Sequence, residues 1–231
     1  MPSKRQALEA LRAEVISCRQ CPRLVACREK AAKEPPRRFV GQRYWARPLP
    51  GFGDPDARIV VVGLAPAAHG GNRTGRFFTG DQSGVWLFRA LFQAGLANQA
   101  LSESADDGLT LLGAYVTAAV RCAPPANKPT PAEKRRCLPY FVRELEILRP
   151  TVLVALGSFA WGVCLSARGA LGRELPKPRP KFGHLAEARF PEGTTLVGSY
   201  HPSQQNTFTG KLTEPMLRAV FERARSLAAA T

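Results

Sequence analysis

The sequence is poor in acidic residues. Its 231 residues include 18 Asp and Glu against 33 Lys and Arg, which gives a formal net charge of +15. A folded chain with so large an excess of positive charge usually has a polyanion as its partner, and nucleic acid is the most common one. The alternative for this charge is a surface that only confers solubility.

Long apolar runs are absent too. No stretch approaches the ~20 consecutive apolar residues of a membrane helix, and residues 1–11 are basic and then amphipathic, without the apolar core of a secretory signal. We therefore expect a cytoplasmic protein with no membrane partner. Cysteine is also scarce, because six cysteines are too few for a disulfide-dense secreted scaffold.

The overall composition excludes two further classes of protein. An apolar fraction of 45% with 22% charged residues excludes an intrinsically disordered chain, and 20 Gly with 20 Pro exclude a coiled coil or a plain helical bundle. A chain of this length makes one large domain or at most two small ones. We predict a single domain over residues 1–231.

The apolar patterning predicts strands that alternate with helices. Buried parallel strands are predicted at residues 58–62, 114–120, 151–156 and 194–200. Helices are predicted before Cys18 and at residues 84–96, 130–148, 157–167 and 214–229, with irregular loops at residues 34–56 and 168–189. The predicted fold class is α/β, a three-layer α/β/α sandwich with a central four-stranded parallel sheet. Its ligand site is expected beyond the carboxyl ends of the strands.

Four of the cysteines form two pairs. Cys18 and Cys21 make a C-x₂-C pair, and Cys122 and Cys137 make a second pair with fourteen residues between them. Four thiolates from two chain segments can complete a tetrahedral zinc site or hold a four-iron cluster. Reduced thiols with no ligand are the alternative. Two cysteines fall outside this set, Cys27 and Cys164, and the second lies on an apolar helix where we expect it to pack in the core.

Three short motifs follow predicted strands, and a fourth surrounds the third cysteine of the set. They are Gly-Leu-Ala-Pro-Ala at residues 63–67, Arg-Phe-Phe-Thr-Gly-Asp at 76–81, Tyr-His-Pro-Ser at 200–203 and Cys-Ala-Pro-Pro-Ala-Asn-Lys-Pro-Thr-Pro at 122–131. With the C-x₂-C pair, this combination closely resembles the iron-sulfur uracil-DNA glycosylases. The first motif resembles that of the family-5, or B-type, branch. The resemblance extends over residues 18–213.

The resemblance implies a 4Fe-4S cluster held by Cys18, Cys21, Cys122 and Cys137. It also implies an enzyme that flips deaminated bases out of DNA and hydrolyses the N-glycosidic bond, leaving an abasic site for base excision repair. The expected partner is damaged DNA, double-stranded and also single-stranded, and the expected state is a nucleoid-associated monomer in the cytoplasm. We expect a monofunctional glycosylase, because a Schiff-base lyase needs a deprotonated Lys in the pocket, and the two Lys in the site motifs, Lys128 and Lys211, lie in loops that are expected to face phosphate.

Three residues are candidates for the chemical step. The resemblance implies that His201 faces the carbonyl oxygen on which the departing base develops negative charge. Asp81 is expected to orient water or to stabilise the positive sugar, and its alternative role is a helix cap. Asn127 is expected to hold the water or a phosphate, and its alternative role is to form a turn. The first motif lacks the water-activating Asp of the better-known relatives. Its side chains cannot accept a proton, so that role must lie elsewhere or be dispensable.

Five residues are candidates for binding the base. Phe78 is the expected stacking platform for the flipped base, and one of the pair Phe77 and Phe78 is expected to fill the core. Gly63 and Ala65 belong to the first motif, and His69 follows it closely. Ala118 stands where uracil-selective relatives carry an Asn that reads the pyrimidine edge. A pocket without that amide is expected to accept hypoxanthine, xanthine and etheno-adducts as well as uracil.

The segment after His201 resembles the loop that enters the minor groove where the base has left. Its amides are expected to replace the lost pairing, with Phe208 as a wedge, although a plain surface loop is the alternative. Basic residues around the motifs are expected to neutralise phosphates. The DNA-binding candidates are Ser203, Gln204, Gln205, Asn206, Phe208, Lys211 and Arg76, with further cations at Arg43, Arg47, Arg73 and Lys128.

Two other functions compete with this one. A non-enzymatic DNA-binding module would use the metal cluster for structure and the basic surface for affinity. A nucleotide-binding enzyme is disfavoured, because residues 63–71 match neither the phosphate-loop nor the dinucleotide fingerprint.

Overall fold

A computed structural model describes residues 2–230 of the chain. Met1 and Thr231, which belong to the predicted single domain over residues 1–231, lie outside the described residues. The helices are α1 (Lys4–Ser17), α2 (Pro22–Lys33), α3 (Gly71–Thr74), α4 (Gln82–Gln93), α5 (Pro131–Leu148), α6 (Ser158–Ala170), α7 (Gln204–Phe208) and α8 (Glu214–Ala229). The strands are β1 (Phe52–Gly53), β2 (Ile59–Gly63), β3 (Ala114–Ala118), β4 (Val152–Leu156), β5 (Glu187–Arg189) and β6 (Thr195–Ser199).

The strands form one mixed sheet in the order β1-β3-β2-β4-β6-β5. The four central strands are parallel and coincide with the four predicted runs. The expectation of a four-stranded sheet is corrected, because β1 and β5 pair antiparallel at the two edges and give six strands. Both edge strands lie in segments that were predicted to be irregular loops, and strands of two or three residues carry no usable alternation pattern.

Side-chain alternation along the central strands builds a core on each face of the sheet. Ile59 and Val61 of β2 pack in a cluster with residues of α4 and α8, whereas Val60 and Val62 pack in a second cluster with residues of α5 and α6. Helices therefore cover both faces, as a three-layer α/β/α arrangement requires. None of the helices within residues 2–230 is long and apolar enough to cross a membrane.

Helix α5 begins where its sequence predicts. The Thr130 side chain accepts a hydrogen bond from the Glu133 backbone amide, and the Glu133 carboxylate accepts one from the Thr130 amide, with Pro131 in the first turn. This capping box satisfies amides that would otherwise be unpaired at the helix start. It fixes the direction in which α5 leaves residues 122–130, and so helps to position Cys137 on the helix.

Helix α2 was not predicted. It begins at Pro22, one residue after Cys21, and buries Leu24, Val25 and Arg28. Its mixed apolar and charged sequence has a weak helical pattern, and burial of one face against the rest of the protein stabilises it. The helix matters for function because it borders both of the sites described below.

Candidate functional site

A wide cleft opens at the carboxyl ends of the parallel strands. Its lining comes from residues 64–70 after β2, residues 77–83 before and at the start of α4, and residues 201–205 after β6. Residues 101–103 and 124–127 also line it, together with Cys27, Arg38, Phe39, Arg73 and Val85. The position agrees with the expectation that an open parallel sheet binds its ligand beyond the strand ends.

The ring of Phe78 lies against the end of strand β2. A Cβ on Gly63 would lie 2.6 Å from Phe78 Cζ, so only glycine allows the ring to approach the strand this closely. A Cβ on Gly84 would lie 1.7 Å from the Phe78 carbonyl oxygen. The backbone φ of Phe78 is 55°, which is unusual for a bulky residue and indicates strain stored at this position. Two glycines and a strained backbone thus hold this aromatic ring in the cleft.

His201 faces the same part of the cleft from the end of strand β6. Its ring centroid lies 6.1 Å from that of Phe78, with the two planes inclined by 35°. Burial lowers the pKa of His201 to about 4, so the imidazole is neutral at pH 7. The Asn206 side-chain amide donates to the His201 carbonyl at 2.8 Å and fixes the backbone that carries the ring. Asn206 was predicted to contact DNA, and in this structure it supports His201.

Asp81 is both a helix cap and a cleft residue. Its Oδ1 accepts a hydrogen bond from the Gly84 amide at 2.9 Å, and Asp81 is the N-cap of α4. Its Oδ2 lies 2.2 Å from the position that a Cβ on Gly70 would take, so glycine is required there as well. Burial raises the pKa of the Asp81 carboxyl, while the hydrogen bonds from the α4 amides and the charge of Arg73 act in the opposite direction. The cap role and the cleft position are therefore compatible.

Asn127 lies on the rim of the cleft, in a short 3-10 turn at Pro125–Asn127. Both Ala126 and Asn127 have left-handed backbones, with φ of 50° and 56°. The turn role proposed for Asn127 as an alternative is therefore real, yet its exposed side chain also borders the cleft.

His69 approaches the cleft beside a tyrosine. The hydroxyl of Tyr44 lies 2.9 Å from His69 Nδ1, and His69 lines the cleft together with Ala65. Ala118 lies elsewhere, because it is 1% exposed, packs in the α4/α8 core cluster and pairs with Gly63 in the sheet. Neither Ala118 nor Gly63 is a lining residue of the cleft, and Gly63 lies behind the ring of Phe78.

The predicted DNA-contacting segment forms one end of the cleft. Ser203, Gln204 and Gln205 line it, and residues Gln204–Phe208 form helix α7 rather than the predicted loop. Phe208 is 76% exposed, as a wedge residue must be. The Lys211 ammonium lies 5.0 Å from the ring centroid of Tyr200, directly before His201 in the chain.

Arg76 requires a correction. It was predicted to bind DNA, but it is only 6% exposed and pairs with both carboxylate oxygens of Asp107 at 2.7 Å. It also donates to Thr79 and Ser102. Its place at the start of a site motif suggested that the Arg76 side chain is exposed. Its partner Asp107 lies 31 residues further along the chain, so the ion pair cannot be recognised from the sequence.

The four paired cysteines line one small cavity next to the cleft. Cys18, Cys21, Cys122 and Cys137 are all free thiols on its wall. Burial raises the pKa of Cys122 to about 12, although the nearby Arg28 acts in the opposite direction, so this thiol is protonated at pH 7 unless a bound metal replaces its proton. Within residues 2–230, no group of three or more His, Cys, Asp and Glu side chains is arranged to hold a metal ion. The thiols are instead spread around a shared space.

Two arginines line the same cavity. Arg28 is 2% exposed and donates to Cys122 Sγ at 3.0 Å, while its Nε has no hydrogen-bond partner. Arg121 pairs with Glu144 at 2.7 Å, and both side chains are 1% exposed. A buried donor without a partner is costly, so the Arg28 Nε indicates that an acceptor belongs in this cavity. Cys164, predicted to be a core residue, is 3% exposed in the α5/α6 cluster, which confirms that prediction.

Sequence reasoning missed several residues of these sites. They are Arg28, Arg38, Phe39, Tyr44 and Asn72. All except Asn72 lie in helix α2 or in the segment after it, for which no strand or helix was predicted. Asn72 is fully buried and donates to the carbonyls of Arg28 and Ala68, so it ties α2 to the loop after β2.

Comparison with known proteins identifies the class. The model of the uracil DNA glycosylase superfamily matches residues 50–225 of the chain. The chain belongs to this superfamily, whose α/β fold agrees with the sheet and the site at its carboxyl edge.

Individual relatives narrow the assignment. The type-5 uracil-DNA glycosylase of Mycobacterium tuberculosis (strain CDC 1551 / Oshkosh) is 50% identical over 220 residues, covering 94% of this chain and 81% of the relative. That of Thermus thermophilus is 50% identical over 221 residues, covering 95% and 98%. That of Pyrobaculum aerophilum is 47% identical over 210 residues, covering 91% and 88%. The chain belongs to the type-5 uracil-DNA glycosylases, which confirms the resemblance found in its motifs.

Proposed function

We propose that this protein is a monofunctional DNA glycosylase that removes uracil from DNA in base excision repair. The observation that carries the proposal is the pairing of a fixed aromatic ring with a neutral imidazole 6.1 Å away, in an open cleft at the strand ends. Excision of a base requires a face on which the flipped base stacks and a donor for the charge it takes away. Phe78 and His201 supply these two functions.

His201 acts as a neutral hydrogen-bond donor in this mechanism. As the N-glycosidic bond lengthens, negative charge develops on the base oxygen while the sugar becomes cationic. A neutral imidazole gains a charge-assisted hydrogen bond only as that charge appears, so it stabilises the transition state more than the bound substrate. The hydrogen bond from Asn206 to the His201 backbone keeps the donor in place.

Asp81 and Asn127 act on the sugar side. The Gly84 amide binds one Asp81 oxygen and so orients the carboxylate, which lines the cleft. A carboxylate there stabilises the oxocarbenium ion and orients the attacking water. The Asn127 amide on the rim holds that water or a neighbouring phosphate.

We further propose that Cys18, Cys21, Cys122 and Cys137 hold a 4Fe-4S cluster. A cluster binds its four thiolates at separate corners, which suits thiols spread around a cavity better than a single zinc ion does. The cluster with four thiolates is anionic, so the unpartnered Arg28 Nε and its donation to Cys122 fit that charge. When bound, it ties α1, α2 and α5 to the sheet edge.

Iron analysis tests the cluster. Protein purified without oxygen is expected to contain iron and inorganic sulfide in equal amounts and to absorb visible light. Cys27→Ser is the matched control, since Cys27 lies outside the cavity and its loss should leave the iron content unchanged. Fully active protein that contains one zinc and no iron would overturn this part of the proposal.

The substrate range is proposed to be broad. We propose that hypoxanthine, xanthine and etheno-adducts are excised as well as uracil. Ala118 is buried beside Gly63 at the end of β3, and its methyl group offers no amide that could extend towards the base edge, as an Asn at this position could. Ala118→Asn is expected to lower single-turnover excision of hypoxanthine more than that of uracil. Equal proportional losses would show that another residue sets the range.

An excision assay tests the activity itself. A uracil-containing duplex should yield an alkali-labile abasic site, whereas the same duplex with thymine should not, and Asp81→Asn should slow the reaction. Tight binding without any excision would instead support the DNA-binding module. We propose that the protein acts as a monomer on nucleoid DNA in the cytoplasm, which size-exclusion chromatography with and without DNA would test.

A further inference from the structure

One corner of the cleft combines two cations with three aromatic side chains. We call it the Arg38 corner, made of Arg38, Phe39, Tyr44, His69 and Arg73. The guanidinium carbons of Arg38 and Arg73 lie 4.7 and 4.3 Å from the Phe39 ring centroid. The His69 ring centroid lies 6.1 Å from that of Phe39. All of these residues except Tyr44 line the cleft that also contains Asp81 and His201.

The charge of this corner is not neutralised by its own members. Arg73 uses its donors on neutral acceptors, namely the carbonyls of His69 and Gly80 and the Gln42 amide oxygen. Its charge also acts against the burial that raises the pKa of the nearby Asp81 carboxyl. Arg38 forms no ion pair with any residue from 2 to 230, and its contact is the face of Phe39. An exposed guanidinium stacked on an aromatic ring keeps its N–H edge available.

Tyr44 determines how His69 presents its ring to the cleft. Burial raises the pKa of the Tyr44 hydroxyl, which lies 2.9 Å from His69 Nδ1, and we infer that this hydroxyl is the donor of the pair. Burial and the charges of Arg38 and Arg73 lower the pKa of His69, so its ring is neutral at pH 7. With Nδ1 accepting, the ring proton resides on Nε2. His69 thus offers one fixed N–H donor.

We propose that the Arg38 corner binds a phosphodiester of the damaged DNA strand, next to the extruded nucleotide. Arg38 supplies charge and bidentate donors, His69 adds one N–H, and Arg73 and Phe39 hold Arg38 in place. The inference rests on the proposed function, because extrusion into the cleft brings the flanking phosphates to its walls. It assigns a binding role to Arg38 and supporting roles to Phe39 and Tyr44, for which the sequence motifs gave none, and it places His69 on a phosphate rather than on the base.

Neutral phosphate analogues test the contact directly. A set of uracil-containing duplexes would carry one methylphosphonate each, at successive linkages around the lesion, and binding would be measured by fluorescence anisotropy. For the natural duplex, Arg38→Gln is expected to raise Kd about tenfold and to reduce the salt slope of log Kd by about one. One methylphosphonate linkage should weaken binding to the wild type by a similar factor and leave the Arg38→Gln variant unaffected.

Arg37→Gln is the matched control, because Arg37 is an exposed neighbour that does not line the cleft. Binding to the Arg37→Gln variant should still be weakened by the methylphosphonate that weakens binding to the wild type. The assignment would be overturned if the affinity losses from Arg38→Gln and from the methylphosphonate added at every linkage. It would also be overturned if Arg37→Gln were insensitive to the same single linkage as Arg38→Gln. Failure of the wild type to excise uracil would defeat the proposed function. The coupling between Arg38→Gln and one methylphosphonate linkage is measured by binding alone, so its failure is distinguishable from that result.

Tyr44→Phe tests the positioning role of the hydroxyl. Nitrogen NMR of the His69 ring should show a single tautomer in the wild type and a mixture in Tyr44→Phe, with an approximately threefold rise in Kd, on the scale of one lost neutral hydrogen bond. An unchanged tautomer in the variant would remove Tyr44 from this role.

Discussion

The cysteine cavity and the cleft are built from the same two stretches of chain but differ in their chemistry. Helix α2 contributes Arg28 to the cavity and Cys27 to the cleft. The residues after β3 contribute Cys122 to the cavity and Asn127 to the cleft. The two sites are therefore neighbours that share walls.

The difference between them lies in charge and access. The cavity is small and encloses the side chains of Arg28 and Arg121, of which only Arg121 has a carboxylate partner. The cleft is open, its central imidazole is neutral, and its carboxylate has a raised pKa. The enclosed thiols and charges of the cavity hold chain segments together. The neutral imidazole and the carboxylate of the cleft lie beside solvent, where they can act on a bound base. Changes in one site should therefore affect stability, and changes in the other should affect rate.

Cys137→Ser should give the largest effect. If the cavity holds the proposed cluster, loss of one thiolate should remove its iron and lower the free energy of unfolding by on the order of 4 kcal/mol or more, as loss of a structural metal does. Denaturant unfolding with iron analysis measures both, and Cys27→Ser serves as the control. A Cys137→Ser protein with unchanged stability and iron content would remove the distinction between the two sites.

His201→Ala should have the opposite profile. Loss of one donor to the developing charge costs about 10²–10³-fold in the chemical step, or roughly 3–4 kcal/mol in the barrier. Single-turnover excision of uracil measures this, and binding of DNA should change little. A wild-type rate in this variant would exclude His201 from the mechanism.

Gly63→Ala tests whether the position of the Phe78 ring matters for stability and for excision. The new Cβ would lie 2.6 Å from Phe78 Cζ, so the ring must move at a cost of about 1–3 kcal/mol. Both the free energy of unfolding and the single-turnover rate should fall. Gly162→Ala, on α6 with no atom near its new Cβ, should instead be neutral or stabilising. If Gly63→Ala kept the wild-type rate, the ring position would not matter for excision.

The smallest effect, for each pH unit, is the pH dependence of stability. The pKa of His201 falls from 6.5 to about 4 on folding, so the unfolded state binds more protons between these values. The free energy of unfolding should decrease as pH falls through this window, by at most about 1.4 kcal/mol per pH unit. His201→Gln should remove that part of the slope, which denaturant titrations at several pH values would measure. Identical slopes in the two proteins would show that His201 is not desolvated.

The sequence predicted the parts of the fold that carry strong local patterns. The β-branched run ending at Gly63 and the capping box of Thr130 and Glu133 gave a central strand and a helix start at the right places. Strand β1 pairs only two residues, Phe52 and Gly53, and owes its existence to the neighbouring strand β3. Such tertiary pairing leaves no local signal.

The candidate site was predicted less completely. The motifs brought His201, Phe78 and Asp81 into one cleft because each follows a strand or begins a helix at the same edge of the sheet. Arg38 and Tyr44 were missed, because they lie in an irregular segment whose position depends on packing. Arg76 was misassigned, since a basic residue beside a motif can equally be buried against a distant carboxylate.

The three positions Gly63, Phe78 and Gly84 are coupled in any redesign. They lie on a strand, a loop and a helix, yet an added Cβ at either glycine would collide with the same phenylalanine. Transplanting the aromatic platform into another parallel-sheet protein therefore requires moving all three positions together, with the strand-to-helix spacing preserved. A graft that carried Phe78 alone would meet host side chains at both glycine positions, and the ring would turn away from the strand end.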